Sequence, residues 1–405
     1  MYKSRQDRYF LISVVVITVI LTFSSSVLGF ILWERIHPDG ISFDTDVVKS
    51  ENIKKFNSVR EILNSQYFGT IDENKMLEGA ISGMVESLGD RYTSYYTKDE
   101  WKAFEQDLKG SFVGVGILVN TDEDGILKVI EVFENSPASK AGMVAGDKIM
   151  KVDGVDVTKK NKDDTIRMIQ GKEGTTVKIT VYRESSAYLI DMNIVREKIK
   201  EQNIKYRVIS NEIGYIKIAK FDSEISNYFN NALSDMLKKG IKGLIIDVRD
   251  NPGGYYHEVV DIADTLLPKC TIVYTEDKNK KQVFKYSDKN EVKLPIAVLV
   301  NGNSASASEI LAGAIKDNNR GRLIGTKTFG KGLVQTSYTL SDGSGLKVTI
   351  QKYFTPSGVC IQDKGIEPDD VVNLDEKYKG LPVSQVPEKD DTQLMKAIEV
   401  IKGKI

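Results

Sequence analysis

Leu294-Pro295-Ile296-Ala297-Val298-Leu299-Val300-Asn301-Gly302-Asn303-Ser304-Ala305-Ser306-Ala307-Ser308-Glu309-Ile310 passes from an apolar run, through a turn of small and polar residues, into an apolar-periodic stretch. A short apolar run bounded by turn residues reads as a buried strand, and apolar residues at helical spacing read as a helix. The turn between them is a place for a nucleophilic serine. Small residues around Ser306 let another backbone approach closely, and a helix start there aims free N–H groups at an oxyanion formed beside the hydroxyl. Further along comes Gly330-Lys331-Gly332-Leu333-Val334-Gln335, in a chain that holds only 2 histidines. A serine hydroxyl needs a base to attack at neutral pH, so the two segments together point to a hydrolase whose base is lysine.

Local sequence leaves alternatives open. Ser306-Ala307-Ser308-Glu309 also fits a capping box in which the serine only satisfies the helix start, and Ser304 and Ser308 are equally placed by composition. A second strand-to-glycine turn, Asp247-Val248-Arg249-Asp250-Asn251-Pro252-Gly253-Gly254, offers unhindered N–H groups for an oxyanion hole. The base is either His257, the histidine of the core, or Lys331, which acts only if burial or a cationic neighbour lowers its pKa. Lys327 reads as a solvated loop residue. Asp247, in an apolar strand, is costly unless paired, and Arg249 two residues on is its structural partner.

Outward from this centre, strand and helix patterns alternate at 214–219, 221–238, 243–248, 257–266, 296–300 and 306–316, the signature of an α/β core around a covered sheet. An apolar-faced helix is expected at 392–400, its other face free to dock on the N-terminal helices or on another subunit. Two more helices are expected at 53–66 and 73–88, the second with Met76, Leu77, Ala80, Ile81, Met84, Val85 and Leu88 on one face. Between 113 and 183 the pattern changes to short strands and turns, with Asp124-Gly125 as a hairpin turn joining strands at 113–120 and 126–133.

The chain's 405 residues suffice for two or three domains, and its 56 basic and 57 acidic residues give no support for nucleic-acid binding. Residues 9–33 carry no charge and are long enough to cross a bilayer; Lys3, Arg5 and Arg8 precede them and place the N-terminus in the cytoplasm. A cleaved signal peptide with small residues at Ser24-Ser25-Ser26 is the rival, and either reading puts 34–405 outside the cytoplasm. Cys270 and Cys360 are too few for a disulfide framework, and His37 and His257 are too few for a histidine-rich metal site; no metal and no cofactor is expected.

The run 136–154 starts a short helix at Pro137, stops it at Gly142, turns at Gly146-Asp147 and closes a hairpin at Asp153-Gly154. It resembles the signature of PDZ domains. The resemblance implies a groove between a strand at 115–119 and a helix at 163–169, with Val113, Gly114, Val115, Gly116 and Ile117 presenting backbone N–H groups to a peptide's C-terminal carboxylate.

Taken with Leu77-Glu78-Gly79-Ala80-Ile81-Ser82-Gly83-Met84, Leu88-Gly89-Asp90, Thr355-Pro356-Ser357-Gly358 and Gly365-Ile366-Glu367-Pro368-Asp369, these motifs resemble the carboxyl-terminal processing proteases, the S41 family of PDZ-containing serine peptidases. The resemblance implies Ser306 as nucleophile, Lys331 as base, Gln335 as support for the lysine, and oxyanion donors at the N–H of Ala307 and Gly253, with Gly254 the lesser alternative. It implies a ClpP/crotonase-like peptidase core, and with the segments read above the expected fold is multidomain α/β: cytoplasmic tail 1–8, membrane anchor 9–33, helical segment 34–95, β-rich PDZ domain 96–185, peptidase core 186–375 and helical C-terminal segment 376–405. Expected partners are proteins or peptides with apolar C-termini, the cell membrane through the one anchor, and a second copy in a homodimer. The rival is a PDZ peptide-binding scaffold with an inactive core. One departure stands out: where many relatives carry arginine to couple the PDZ domain to the active site, this chain has Gln170, so either Arg167 or Lys172 substitutes or the gating is weaker.

Overall fold

The computed structural model describes residues 50–405 apart from Glu123, Glu201 and Lys289; the expected tail, the anchor at 9–33 and the stretch up to residue 49 lie outside the described residues. Among the described residues no helix is long and apolar enough to cross a membrane. The chain parts into two compact units between Met76 and Leu77. In the first, the helix Ser50–Gln66 is tied to the start of Glu73–Glu86 by the Glu73 carboxylate, which accepts from Arg60 at 2.9 Å and Asn64 at 2.6 Å. Ile53, Phe56, Val59 and Ile62 are exposed on the longer helix.

The second unit is built on a sheet whose strands run in the order Ile204–Ile209, Ile213–Ile218, Gly243–Asp247, Ile296–Val300, Gly321–Gly325 and Asp370–Val371. The first pair is antiparallel and the others parallel. Alternation along the strands sends Leu244, Ile246, Val298 and Val300 to one face and Ile245, Ala297 and Leu299 to the other. Each face needs a cover, which explains why these strands read as continuous apolar runs. Helices Ile225–Lys238, Tyr256–Leu266 and Ala307–Asp317 cover the first face with Phe229, Leu233, Val259, Ile262, Ile310 and Leu311. Thr392–Lys402 covers the second with Leu394, Ala397 and Ile401, so the terminal helix is a core element and not only a docking surface.

That helix is also bolted electrostatically. Arg249, fully buried, meets Asp247 at 2.6 Å and Asp391, the helix N-cap, at 2.8 Å, and Tyr215 donates to Asp247 at 2.8 Å. The expected Asp247–Arg249 pair is therefore one half of a bridge from the strand end to the C-terminal helix. Burial alone would push the Asp247 carboxyl up, but Arg249 and Lys217 hold it below the usual carboxylate range.

A second sheet packs beside the first. Its long strand Gly345–Phe354 pairs with Ser94–Tyr96 and Thr271–Asp277, and Leu333–Thr339 pairs with it as well. A third sheet, with strands Ile117–Thr121, Leu127–Val132, Lys148–Val152, Thr176–Arg183 and Tyr188–Val195, closes the β-rich domain around Val129, Ile149, Val177, Ile179 and Val181. Two expectations change here. The strand expected at 113–120 is two strands: Ser111–Gly114 pairs with Glu197–Lys200, and Ile117–Thr121 begins only after Gly116, whose φ of 81° and closeness to Ser136 break the run. The strand Tyr188–Val195, placed beyond the expected boundary at 185, pairs along its whole length with Thr176–Arg183.

Candidate active site

The loops that follow strands Gly243–Asp247 and Ile296–Val300 leave the sheet at its carboxyl edge and meet there, the usual place for a site in such sheets. The Ala305 N–H donates to the Asn251 carbonyl at 3.0 Å. Ser306 caps the helix Ala307–Asp317 with φ 53° and ψ −112°, a conformation that a non-glycine residue holds only when its surroundings force it. The three serines now separate. Ser304 is fully buried and donates to the Val248 carbonyl at 2.8 Å; Ser308 is fully buried and donates to the Asn251 carbonyl at 2.9 Å. Ser306 instead lines a cavity of about 380 Å³.

Gly253 presses against it. A Cβ there would lie 2.8 Å from Ser306 Cβ and 3.1 Å from the Ala307 nitrogen, so no side chain fits. The Ala307 N–H, at the helix start, and the Gly254 N–H have no acceptor among the described residues, whereas the Gly253 N–H donates to Asn251 Oδ1 at 2.8 Å. Of the expected oxyanion donors, Ala307 is thus unengaged and Gly253 is engaged.

Lys331 and Gln335 line the same cavity. No hydrogen bond joins Lys331 to Ser306, and the Gln335 amide donates to Thr349 at 3.3 Å without reaching the lysine. Burial pushes the Lys331 pKa below the ordinary lysine value and Lys347 lowers it further, while Asp90 and Glu309 pull the other way. Its ammonium stands 4.9 Å over the Tyr92 ring.

The residue whose part the sequence reading missed is Glu309. Fully buried, its Oε1 accepts from Thr328 at 2.6 Å and the Gly330 N–H at 2.7 Å, and its Oε2 accepts from the Lys331 N–H at 2.8 Å and the Ser306 N–H at 2.9 Å. One carboxylate thereby fixes the backbone of Ser306 relative to that of Lys331. The capping-box spacing predicted only its bond to Ser306. Burial pushes the Glu309 carboxyl up despite these donors. Glu309→Gln is expected to cost about 1–3 kcal/mol in denaturant unfolding, because either amide orientation strands at least one buried N–H. It should also lower kcat by roughly 10–100-fold through displacement of the two segments. Unchanged stability and turnover would show that the carboxylate tethers nothing.

The alternative residues are elsewhere in role. His257 sits at the cavity rim, its side chain 65% exposed, beside Glu258 at 3.4 Å and without a bond to Ser306. Lys327 is outside the cavity and pairs with Glu367 at 2.9 Å.

A second cavity, of about 420 Å³, lies in the β-rich domain between the free edge of Ile117–Thr121 and the helix Lys162–Ile169. Gly114, Val115, Gly116 and Ile117 line it, while Val113 does not. The N–H groups of Val115 and Gly116 have no acceptor among the described residues. Gln170, the cap of that helix, lines the cavity too. Arg167 pairs with Asp164 at 2.6 Å, and a different arginine, Arg196, binds the carbonyls of Met168 and Ile169 at 2.9 and 2.8 Å. The helix Lys98–Leu108, which the sequence reading passed over, borders both cavities: Ala103, Gln106 and Asp107 face the groove, and Phe104 and Leu108 face the cleft of Ser306. Its signal was present, a capping box at Thr97 and Glu100 before Trp101, Phe104 and Leu108.

Comparison with known proteins gives a consistent picture. The family model of peptidase family S41 matches residues 212–372, that of a PDZ domain residues 128–183, and that of the N-terminal domain of the activating protease CtpB residues 37–100. A carboxy-terminal-processing protease of Bartonella bacilliformis is 36% identical over 88% of this chain and 89% of its own. A probable CtpA-like serine protease of Staphylococcus haemolyticus is 35% identical over 98% of this chain and 79% of its own. Among solved structures, the photosystem II D1 C-terminal processing protease aligns with a TM-score of 0.50 and 30% identity, over 80% of this chain and 94% of that one.

Proposed function

The chain belongs to the carboxy-terminal-processing proteases of peptidase family S41, serine peptidases that hydrolyse peptide bonds, and from that premise we propose that Ser306 and Lys331 form its catalytic dyad. The observation that carries the assignment is a serine held in a strained helix-cap conformation in one cleft with a half-buried lysine that has no carboxylate within ion-pair distance. Neutral Lys331 takes the Ser306 proton, and the oxygen attacks the substrate carbonyl to form a C–O bond. The oxyanion accepts from the Ala307 N–H and from the diglycine, either Gly254 as the peptide stands or Gly253 once it leaves Asn251. Protonated Lys331 then gives its proton to the leaving amine as the C–N bond breaks, and water repeats the cycle on the acyl-enzyme. Gln335 is assigned the support of the lysine after a small movement away from Thr349.

The finer parts of the reading concern what is brought to this cleft. The PDZ groove, with unengaged Val115 and Gly116 N–H groups and apolar walls at Ile117, Ile166 and Ile169, suits an apolar peptide C-terminus added as a strand. Purified full-length protein should cleave an unfolded protein ending in an apolar tail with a kcat/KM at least about tenfold above the same protein ending in acidic residues, the equivalent of about 1.4 kcal/mol of tail binding. Equal values for both tails would remove the groove from the reading. Gln170→Arg should change the dependence on added tail peptide.

The uncharged run at 9–33 behind Lys3, Arg5 and Arg8 supports a single membrane anchor with residues 34–405 on the extracytoplasmic side. Release of the chain from membranes by alkaline carbonate would contradict that anchor. The exposed Ile53, Phe56, Val59 and Ile62 support a homodimer, against which a monomeric mass in sedimentation would stand.

A further inference from the structure

The cleft around Ser306 carries three lysines, Lys220, Lys331 and Lys347, together with His257, and no aspartate or glutamate lines it. The three ammonium groups are not equivalent. Lys220 is already paired with Asp107 at 2.6 Å, and Lys331 is the proposed base. Lys347 has no carboxylate within ion-pair distance; its Nζ donates to the Tyr96 hydroxyl at 2.9 Å. It stands 5.4 Å over the Tyr96 ring and 5.3 Å over the Phe104 ring, two rings stacked at 5.0 Å and backed by Trp101. The strand below holds it in the middle of a sheet, between Ser94 and Ser337, and Ser337 lines the cleft as well.

A lysine on a solvated surface keeps its rotamer freedom and its water, and a lysine held for structure has a carboxylate. Lys347 has neither. Its stem is half-buried, its head is fixed by a phenol and two ring faces, and its remaining donors face the space that a peptide chain must enter to reach Ser306. A fixed cation with unused donors in a partly desolvated cleft is a preorganised acceptor site for an anion, with a cost of ordering already met by the fold.

We propose that Lys347 is a carboxylate-binding subsite of the cleavage cleft, selecting substrate chains that place an acidic side chain or an α-carboxylate beside the scissile bond. The assignment rests on the reading of Ser306 as nucleophile. It is separate from tail recognition in the PDZ groove, because the groove and this cleft are lined by different residues on adjoining faces of the helix Lys98–Leu108. Neutral chains are cleaved through apolar contacts with Phe104, Leu108, Leu333 and Val334, and a carboxylate in the right register adds its pairing with Lys347.

The test is a peptide series on the full-length protein. One neutral parent peptide carries glutamate, or glutamine as its uncharged match, at each of the four positions on either side of the cleaved bond. Every member is made with a free and with an amidated C-terminus, which separates a side-chain carboxylate from an α-carboxylate. Wild-type protein should favour the carboxylate over the amide by about tenfold in kcat/KM at one register, a preference that added salt weakens only in part. Lys347→Gln should bring that ratio to about one, and Lys347→Arg should restore most of it.

A flat series with the wild-type protein overturns the proposal whatever the variants do, so a variant that fails to fold does not protect it. Persistence of the preference in Lys347→Gln also overturns it. So does a loss of rate that is the same for carboxylate and amide peptides, which would mean that Lys347 only tunes Lys331 alongside Asp90, Glu309 and the Tyr92 ring; the acid limb itself moves upward on either reading. If the neutral parent is cleaved equally by Ser306→Ala, the nucleophile assignment itself has failed and the subsite falls with it.

Discussion

Ser306→Ala is expected to reduce peptide-bond cleavage by roughly 10⁴-fold or more while leaving the unfolding midpoint nearly unchanged. The hydroxyl faces the cleft, and the helix start retains the Glu309 carboxylate bond to the Ser306 N–H, so little of the fold depends on the lost oxygen. The neighbouring serines predict the opposite pattern. Removing the buried hydroxyl of Ser304 or Ser308 leaves the Val248 or Asn251 carbonyl without that donor, at about 1–3 kcal/mol of stability, with a smaller effect on turnover. Stopped assays and melting curves on the three variants together separate a nucleophile from two structural hydroxyls. Comparable activity losses in all three would point to a disturbed turn and remove the special role of Ser306.

Lys331→Met should lower kcat by about 10³–10⁴-fold and at the same time raise stability at neutral pH. The first effect follows from loss of the base, the second from the direction of the lysine's pKa shift. Burial and Lys347 depress the Lys331 pKa below its unfolded value of 10.5, so the unfolded chain holds this proton more tightly than the folded one. Stability therefore rises with pH from the depressed pKa up to the unfolded one, and below that window the fold carries the full cost of a buried ammonium. Methionine keeps the apolar stem and removes that cost. The gain in denaturant midpoint should shrink as pH approaches the unfolded lysine value. A variant destabilised at pH 7 would show that the ammonium is paired in the working protein, and would argue against a neutral base.

The same depressed pKa gives the sign of the rate profile. Activity should rise as Lys331 loses its proton, with an acid limb below the ordinary lysine range. Lys347→Gln removes the cation that helps to depress it and should move this limb upward, whether or not the carboxylate preference is present.

Which parts of this architecture were legible in the chain follows from the reach of the interactions. The strand and helix flanking Ser306 are local patterns of apolar spacing, and they lie at Ile296–Val300 and Ala307–Asp317, close to where the sequence puts them. The choice among Ser304, Ser306 and Ser308 is not local. It depends on carbonyls 56 and 57 residues away, at Val248 and Asn251, which no window of sequence contains. Glu309 shows the same limit. Its spacing from Ser306 announces a helix cap, while the bonds to Thr328, Gly330 and Lys331 that make it a tether arise only when the sheet brings two loops together.

Other gaps have specific causes. The strand-and-turn pattern before Asp124-Gly125 reads as a single strand at 113–120, and the turn at Gly116 is imposed by the close approach of Ser136, a tertiary contact. The helix Lys98–Leu108 carried a readable cap but shows its importance only through its two faces, one on each cavity. Spacing alone pairs Arg249 with Asp247, and its second partner, Asp391, comes from 142 residues further along the chain. The expected Gly253 oxyanion donor depended on a free N–H, and the Asn251 side chain two residues earlier takes it in this structure.

The most direct measurement is covalent labelling with a serine-reactive fluorophosphonate, followed by mass spectrometry of the digested protein. The assignment predicts one adduct, on Ser306, formed in step with loss of peptidase activity and slowed strongly by Lys331→Met. An adduct on another residue that tracks the loss of activity, or full peptidase activity in a protein whose Ser306 is completely modified, would contradict it.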